Sequence, residues 1–397
     1  MRVSTIGAYN QGVELMQRLQ VALDHTQRQI ASGRRLLTPS DDPIAAGRAL
    51  NLRESLSQLV QFDRNANLAG SRLGYEESAL TSASNILHRV RELALQANNA
   101  TQTQEAREFI SIEIRQLLGE LVDVANQQDG NGRYMFAGTR DATLPVTHTG
   151  GSYVYNGDQG QRLVQIADNR QVADGDPGSE VFFHVRNGNG TFVATPAAFN
   201  AGSGILNATS VVDAAAYDRD TYTIRFIDPV NYEVLDSSAA VVASGAWQSG
   251  DSIAFSGLEV AITGTPAAGD EFVAAPSKFQ DIFTTVYDLA DAVMMTADDD
   301  QSRAALNNSV NLGLQNLDQA LGRILEVRTS VGSRLSAVEI QRDTNEAYAL
   351  TTQQTLSELE DLDYAEALSR LSIQASVLEA AQASFVRTQS LSLFNFL

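Results

Sequence analysis

Apolar residues recur at alternating steps of four and three along much of this chain. Ala79, Ala83, Ile86, Val90, Leu93 and Ala97 form one series, and Ile110, Ile114, Leu117, Leu121 and Val124 a second. A third runs through Leu314, Leu317, Leu321, Ile324, Arg328, Val331, Leu335 and Val338, with one arginine in the seam. A period near 3.5 sustained this long predicts long helices packed side by side in a coiled-coil-like bundle. Each end carries a weaker series. Tyr9, Val13, Met16, Gln20, Leu23, Gln27 and Ile30 form the one in front; Tyr364, Leu368, Leu371, Ala375, Leu378, Gln382 and Phe385 form the one behind. Glutamines interrupt both seams. Polar seam residues cost stability but fix register and oligomeric state. Two readings follow: two ordinary helices of one bundle, or a pair that is loose in the single chain and packs fully only between subunits.

The helix breakers are segregated. All eight prolines fall at 39, 43 and from 145 to 276, so residues 44–144 and 277–397 contain none. Proline is costly inside a helix, and both tracts therefore read as helical. A helix from Pro43 towards Asn98 would be ~80 Å long, an elongated building block and not a compact enzyme shell. Residues 146–276 hold 15 of the 28 glycines and the only tryptophan, Trp247. Ser179–Val193 reads as two short strands around Asn187-Gly-Asn-Gly190, and Thr221–Leu235 as two more around Asp228-Pro-Val-Asn231. Ser252–Gly269 adds period-2 apolar residues bounded by glycine. The expected fold is mainly α with an inserted β domain. Its expected parts are paired terminal helices (1–42 and 364–397), a helical rod (43–145 and 277–363) and a β-rich insertion (146–276).

Joints set the ends apart. Gly33 can close the first helix, and Thr38-Pro39-Ser-Asp-Asp42 is a connector. Pro43 suits the first helical position, with Asp42 as its cap. Near the other end Thr351-Thr352 weakens the helix, while Ser357-x-x-Glu360 and Asp363-x-x-Glu366 each have the form of a fresh helix start. Joints at both ends suggest that the two tails move as one unit.

Charge sharpens this division. Against a net −20 for the 397 residues, the two tails carry seven basic and six acidic side chains, and residues 146–276 five and fifteen. Acid is kept off the tails. The acidic balance disfavours nucleic acid, and no apolar run reaches the ~18 residues of a membrane helix. Cysteine is absent, which excludes disulfides and thiolate chemistry. Met1–Asn10 shows no long apolar h-region, so the expectation is a cytosolic protein or one exported without signal-peptide removal. His25, His88, His148 and His184 form no metal-binding spacing, and Asp174-Gly-Asp-Pro-Gly178 lacks the later ligands of a calcium loop. Asp298-Asp-Asp300 reads as a capped helix start. Glu76-Glu77 and Asp41-Asp42 read as carboxylates on solvated faces. No catalytic, cofactor or metal site is expected, and no enzyme.

Helical tails, a helical body and an inserted β domain resemble the bacterial flagellin superfamily. Met1-Arg-Val-Ser-Thr5 and the segment 30–53, with its Gly33-Arg-Arg-Leu-Leu-Thr-Pro-Ser-Asp-Asp-Pro43 core, are similar to the hook–filament junction family within it, hook-associated protein three. Flagellins usually carry an Asn-Ser-Ala-x-Asp-Asp-Ala connector, and Pro39 and Pro43 depart from that. Arg91-Glu-Leu-Ala, Tyr134-Met-Phe-Ala-Gly-Thr139, Val331-Gly-Ser-Arg-Leu335, the segment 359–371 and the closing Leu391-Ser-Leu-Phe-Asn-Phe-Leu397 add to the resemblance.

The resemblance implies a non-catalytic, extracellular flagellar protein, exported unfolded through the flagellar secretion channel and assembled as a ring of its own copies. Its implied neighbours are the first hook-associated protein on the hook side, flagellin or a second junction protein on the filament side, and a cytosolic export chaperone before secretion. No nucleic acid or membrane partner is implied. The expected contact residues are Tyr9, Val13, Met16, Leu23, Ile30, Leu368, Leu371, Leu378, Phe385, Leu393, Phe394, Phe396 and Leu397. The expected joints are Gly33, Pro39, Asp42, Pro43, Ser357 and Asp363. Two alternatives stand beside this reading: flagellin itself, and a secreted adhesin that uses the β domain.

Overall fold

A computed structural model describes residues 5–390; Leu393, Phe394, Phe396 and Leu397 lie outside the described residues. Six helices are present among them: α1 (Thr5–Ser32), α2 (Pro43–Ala97), α3 (Gln104–Ala125), α4 (Ile282–Val293), α5 (Asp300–Glu360) and α6 (Tyr364–Ser390). Helical regions flank a β-rich middle, as the breakers predict. Where a helix starts, an oxygen waits for the free amides of its first turn. The Thr103 hydroxyl accepts from Ala106 N–H at 3.2 Å, Asp281 from Thr284 at 2.6 Å and Asp299 from Ser302 at 2.7 Å. The first proline-free tract is not helical throughout, because residues 126–144 form turns after α3. Thr351-Thr352 does not interrupt α5.

The chain divides into two compact units, residues 1–64 with 341–397 and residues 65–340. In the first, α1 and α6 run antiparallel. The Tyr9 and Phe385 rings stack with centroids 5.3 Å apart, and Gly12 lies so close to Phe385 that a Cβ there would sit 2.8 Å from the ring. The start of α2 and the end of α5 form a second antiparallel pair, marked by Arg342–Asp63 at 3.9 Å and Arg53–Glu360 at 2.7 Å.

The second unit has two hydrophobic cores. One joins the remainder of α2 and α5 to α3 and α4 through Leu80, Leu87, Leu93, Ile114, Leu121, Phe283, Leu289, Leu317 and Ile324. It also takes in Val146, Ile166, Val172, Val181, Phe182 and Val185, so the first residues of the glycine-rich stretch pack on helices. These residues belong to two hairpins, β1 (Val146–Thr149) with β2 (Ser152–Tyr155) and β3 (Leu163–Ala167) with β4 (Arg170–Ala173), and to the turns that follow. Ser179–Phe183, expected as a strand, is a π-helical turn. That turn puts Phe182 against Phe136 at 5.1 Å and against Phe283 at 5.7 Å, an aromatic contact no period-2 strand would supply.

The other core lies in an antiparallel sandwich. Its larger sheet has the order β10-β9-β8-β13-β6, from Val241–Ala246, Asn231–Leu235, Tyr222–Asp228, Glu271–Pro276 and Phe192–Pro196. The smaller is β11-β12-β7, from Ser252–Phe255, Leu258–Thr263 and Ile205–Val211. Phe192, Phe226, Trp247, Val260, Ile262 and Phe272 fill the space between. The short β5 (Val185–Arg186) pairs with β14 (Phe279–Gln280) where the chain enters and leaves, and Ser277 N–H donates to Thr191 O at 3.0 Å. The edge of β7 is covered by α5. Asn308 Oδ1 accepts from Leu206 N–H at 2.7 Å, its Nδ2 donates to Gly204 O at 2.9 Å, and Asn311 Nδ2 donates to Leu206 O at 2.9 Å.

Glu76 corrects an expectation. It is buried, not solvated, because its helical turn faces the segment 174–178. Its Oε1 accepts from Asp176 N–H at 2.9 Å, while Oε2 has no hydrogen-bond partner. Around it, Arg334 binds Asp176, Arg72 reaches Asp129 at 2.9 Å and Asp174 at 3.8 Å, and Arg162 binds Asp174. Asp174-Gly-Asp-Pro-Gly178 is thus a turn stitched to α2 and α5 by ion pairs. Burial first, and the neighbouring Asp176 charge second, push the Glu76 carboxyl up to about 8 against the opposing pull of Arg334. Its neighbour Glu77 binds Arg328 at 2.6 Å, which explains the arginine in the third apolar seam.

Candidate assembly surface and its joints

The two joints meet within the first unit. Gly33 follows α1 with φ +68, a conformation that favours glycine, and a Cβ there would lie 2.9 Å from the Tyr364 hydroxyl. Beyond it the chain forms a short antiparallel bridge with the α5–α6 link. Leu362 N–H donates to Gly33 O at 3.0 Å and Arg35 N–H to Glu360 O at 2.7 Å, around the Arg34–Asp361 bridge. Arg35 Nη2 donates to Leu359 O at 2.6 Å, and Gln29 Nε2 to Arg35 O at 2.6 Å. Leu362 is buried beneath.

Carboxylates build the rest of this joint. Asp42 Oδ1 accepts from Ala45 N–H at 3.0 Å and caps α2, with Pro43 in the first helical position. Asp363 Oδ1 accepts from Ala365 and Glu366 at 2.9 and 3.1 Å and caps α6. Asp41 accepts from the backbone of Thr38 and Leu37, from the Thr38 hydroxyl and from His25 Nε2, and these bonds hold its carboxyl down at about 2. Ser357 is not a helix start. It lies in the last turn of α5, where its hydroxyl binds Asp361 and its carbonyl accepts from Asp361 N–H. Pro39, Pro43, Leu36, Leu37 and Leu50 line a groove of about 470 Å³ beside the bridge.

The tail helices face each other across a thin seam. Val13, Met16, Leu23 and Ile30 on α1 and Leu371, Leu378 and Phe385 on α6 are all half-buried. Leu368 and Tyr9 are 54% and 49% exposed, and Ala367 takes the inward place expected for Leu368. The reason is the true helical period, which drifts away from a strict heptad. The same drift turns Gln20, Gln27 and Gln382 outward. The polar residues actually in the seam are Thr26, Gln29 and Gln374, and the last two each keep a buried carbonyl oxygen without a partner. Leu15, Val21, Ile373, Val377 and Val386 are exposed on the outer faces.

Among the described residues, the buried apolar side chains of this unit are Ala45, Ala49, Leu362 and Ala367. None belongs to either hydrophobic core. A helix pair with so little buried area has little to set against its ordering entropy. Limited proteolysis of the monomer is therefore expected to cut first within residues 9–42 and 364–387. Cleavage inside 65–340 at an equal rate would show that the tails are as firmly held as the rest.

Among the described residues, no three histidine or acidic side chains are gathered to hold a metal ion, and no helix is long and apolar enough to cross a membrane. His25 contacts Asp41 at 3.2 Å, His148 stacks on Tyr153 and His184 contacts Glu180 at 2.9 Å.

Comparison with known proteins bears on both ends and on the whole length. Residues 3–141 match the bacterial flagellin N-terminal helical region, and residues 314–397 the flagellin C-terminal helical region. The flagellar hook-associated protein 3 of Escherichia coli K12 is 26% identical over 394 residues, 99% of each chain. The crystal structure of the flagellar junction protein FlgL from Legionella pneumophila is 32% identical, with a TM-score of 0.73, over 79% of this chain and 100% of that one. A flagellin of Salmonella typhimurium is similar over 129 residues at 37% identity, which is 32% of this chain and 26% of the flagellin. The match to this flagellin is thus confined to part of the chain, whereas the match to the hook-associated protein 3 runs through the β-rich middle as well.

Proposed function

The chain belongs to the family of flagellar hook-associated protein 3, and from that premise we propose that it joins hook to filament as a structural adaptor, held in place by its paired terminal helices. The observation that carries the mechanism is the make-up of the tail unit. Its two helices expose Tyr9, Leu15, Val21, Leu368, Ile373 and Val377, and among their described apolar side chains only Ala367 is buried while the seam residues stay half-buried. Such faces gain stability when equivalent helices pack around them, and near-neutral tails crowd together without the repulsion that the acidic middle would cause. Buried seam carbonyls at Gln29 and Gln374 gain donors in the same step.

The interlocked joints transmit this contact. Because Gly33–Arg35 and Glu360–Leu362 are bonded to each other, a displacement of one tail carries the other with it. The proposed neighbours are further copies of this chain, the first hook-associated protein below, flagellin or a second junction protein above, and an export chaperone before secretion. Export through the flagellar secretion channel suits a chain without cysteine, which stays uncrosslinked while unfolded. The flagellin reading is disfavoured by the full-length similarity.

Two shortened chains test the proposal in cells lacking the native protein. Thr191 and Ser277 are already hydrogen-bonded, so residues 192–276 can be replaced by a short turn without stretching the chain. That variant is expected to support filament growth. A chain shortened by residues 364–397 is expected to keep the 65–340 unit folded and to support none. Filaments from the second variant, or their loss in the first with export intact, would contradict the assignment of assembly to the tails.

A further inference from the structure

Among the described residues, neither hydrophobic core of the 65–340 unit draws a side chain from the other, partly buried neighbours included. The hydrogen bonds between sandwich and helices come from one side of α5. That helix gives its core Leu306, Val310, Leu317 and Ile324, and its opposite side carries Gln301, Asn308, Asn311 and Asn316. These amides bind backbone groups. Gln301 Nε2 donates to Asn200 O at 2.8 Å, and Asn316 Oδ1 accepts from Gly188 N–H at 2.7 Å. Between them Asn308 holds Leu206 N–H and Gly204 O, and Asn311 holds Leu206 O. Asn98 of α2 donates to Asn311 Oδ1 at 3.2 Å, which leaves the Asn311 NH2 to face Leu206. The chain itself crosses at one narrow neck. Strands β5 and β14 have two residues each, and just beyond them Asn187 N–H donates to Lys278 O at 3.0 Å. Val185 before the neck belongs to the helical core and Phe192 after it to the sandwich core.

From this we infer that the asparagine stripe is a catch: the sandwich swings as a body on the β5–β14 neck when Asn308, Asn311 and Asn316 let go. Both cores stay intact as it does so. An amide side chain carries the same donor and acceptor as a peptide group, so Asn308 and Asn311 complete the edge of β7 as a neighbouring strand would. Water offers those groups the same bonds, so the net cost of release is small. Opening either core is far costlier, because it would expose side chains such as Phe226, Trp247 and Phe272 or Leu87, Phe283 and Leu317. The two crossings of the chain lie side by side, which makes them one pivot and not two separate anchors. The turn after the neck travels with the sandwich, since Asn189 binds the N–H groups of Thr191 and Phe192 and the Thr209 hydroxyl of β7. A load on the sandwich then turns it before it strains either core. The catch lies wholly within the 65–340 unit, so its failure would leave the junction assignment untouched.

The full chain has no cysteine, so spin labels can be placed at Asn85→Cys on α2 and Ala214→Cys in the sandwich, both exposed positions. Double electron–electron resonance on this full chain is expected to show one main distance and a second in about 1–10% of molecules, the swung form. Alanine at 308 and 311 leaves Leu206 and Gly204 without partners only while the sandwich is docked, because water supplies them once it swings. Asn308→Ala with Asn311→Ala is therefore expected to raise the ratio of second to first distance about tenfold or more. Without labels the same variant should keep the wild-type emission of Trp247, which is buried in the sandwich. If that emission changes, Asn311→Asp takes its place; it keeps an acceptor for Asn98 and sets a carboxylate oxygen against Leu206 O. A single unchanged distance in both wild type and folded variant would mean that the sandwich is fixed to α5. A second distance that appears only with altered Trp247 emission would mean unfolding in place of a swing. Either result overturns the inference.

Discussion

Glu76→Gln is expected to stabilise the 65–340 unit by about 3 kcal/mol above pH 8, raising its unfolding midpoint by about 6–10 °C. The wild-type carboxyl is raised in the folded state to about 8, from an ordinary value of 4.5. Below 4.5 it is protonated whether the chain is folded or not, and it costs nothing. Between 4.5 and 8 the unfolded chain releases the proton while the folded chain retains it, so stability falls as pH rises. Above 8 the full cost is in place. Glutamine keeps an oxygen for Asp176 N–H and adds an amide donor towards the Asp176 carboxylate, without a proton to lose. Asp176, Arg334, Arg72, Asp129, Asp174 and Arg162 surround the site, and their pairing is unaltered by the change. The check is thermal unfolding from pH 4 to pH 9, with the two proteins converging at pH 4. Parallel curves would mean that Glu76 ionises in the folded protein as it does in the unfolded chain.

Leu371→Asp combined with Leu378→Asp is expected to act in the opposite way, leaving the 65–340 unit intact and abolishing attachment at the hook tip. Both leucines are half-buried in the α1–α6 seam, and neither hydrophobic core includes a residue of either helix. Full burial of a leucine stabilises by roughly 1.5–3 kcal/mol, and the seam realises part of that in the monomer and the remainder only when copies pack. Two carboxylates in the seam should melt the tail pair, seen as lost helical signal below the main transition. The main transition itself should move by less than about 0.5 kcal/mol, because neither leucine belongs to the cores of that unit. Chaperone binding should weaken together with filament formation. A large fall in the main transition would make the seam part of the monomer's structural core, and normal filaments would remove the tails from the assembly surface.

Much of the fold was legible in the sequence because its signals are periodic or exclusive. Proline and glycine cannot sit freely in long helices, so their confinement marked the β-rich stretch, and the caps at Asp42 and Asp363 follow from local chemistry. What escaped reading depended on tertiary placement. Glu76 and Glu77 are adjacent and chemically alike, yet the first is buried beside Asp176 and the second pairs with Arg328. Only the fold of 174–178 decides between them. Leu368 and Ala367 exchange roles because a strict heptad was laid on a helix of longer period. Ser357 has a start-like motif in a helix that is ending, since Ser-x-x-Glu also fits a last turn whose hydroxyl binds Asp361. The interlock of Gly33–Arg35 with Glu360–Leu362 joins segments more than 320 positions apart through backbone groups, which leave no mark in side-chain patterns.

The central claim, that this chain is a junction component seated by its terminal helices, is tested most directly by locating it on intact flagella. Antibody raised against residues 192–276 and carrying gold should label detached hook–filament assemblies in a single short band where hook meets filament. The band should vanish when the chain carries Leu371→Asp and Leu378→Asp. Label spread along the filament would make the chain a bulk filament subunit, and a band that survives the double substitution would mean that something other than the tail helices holds it there.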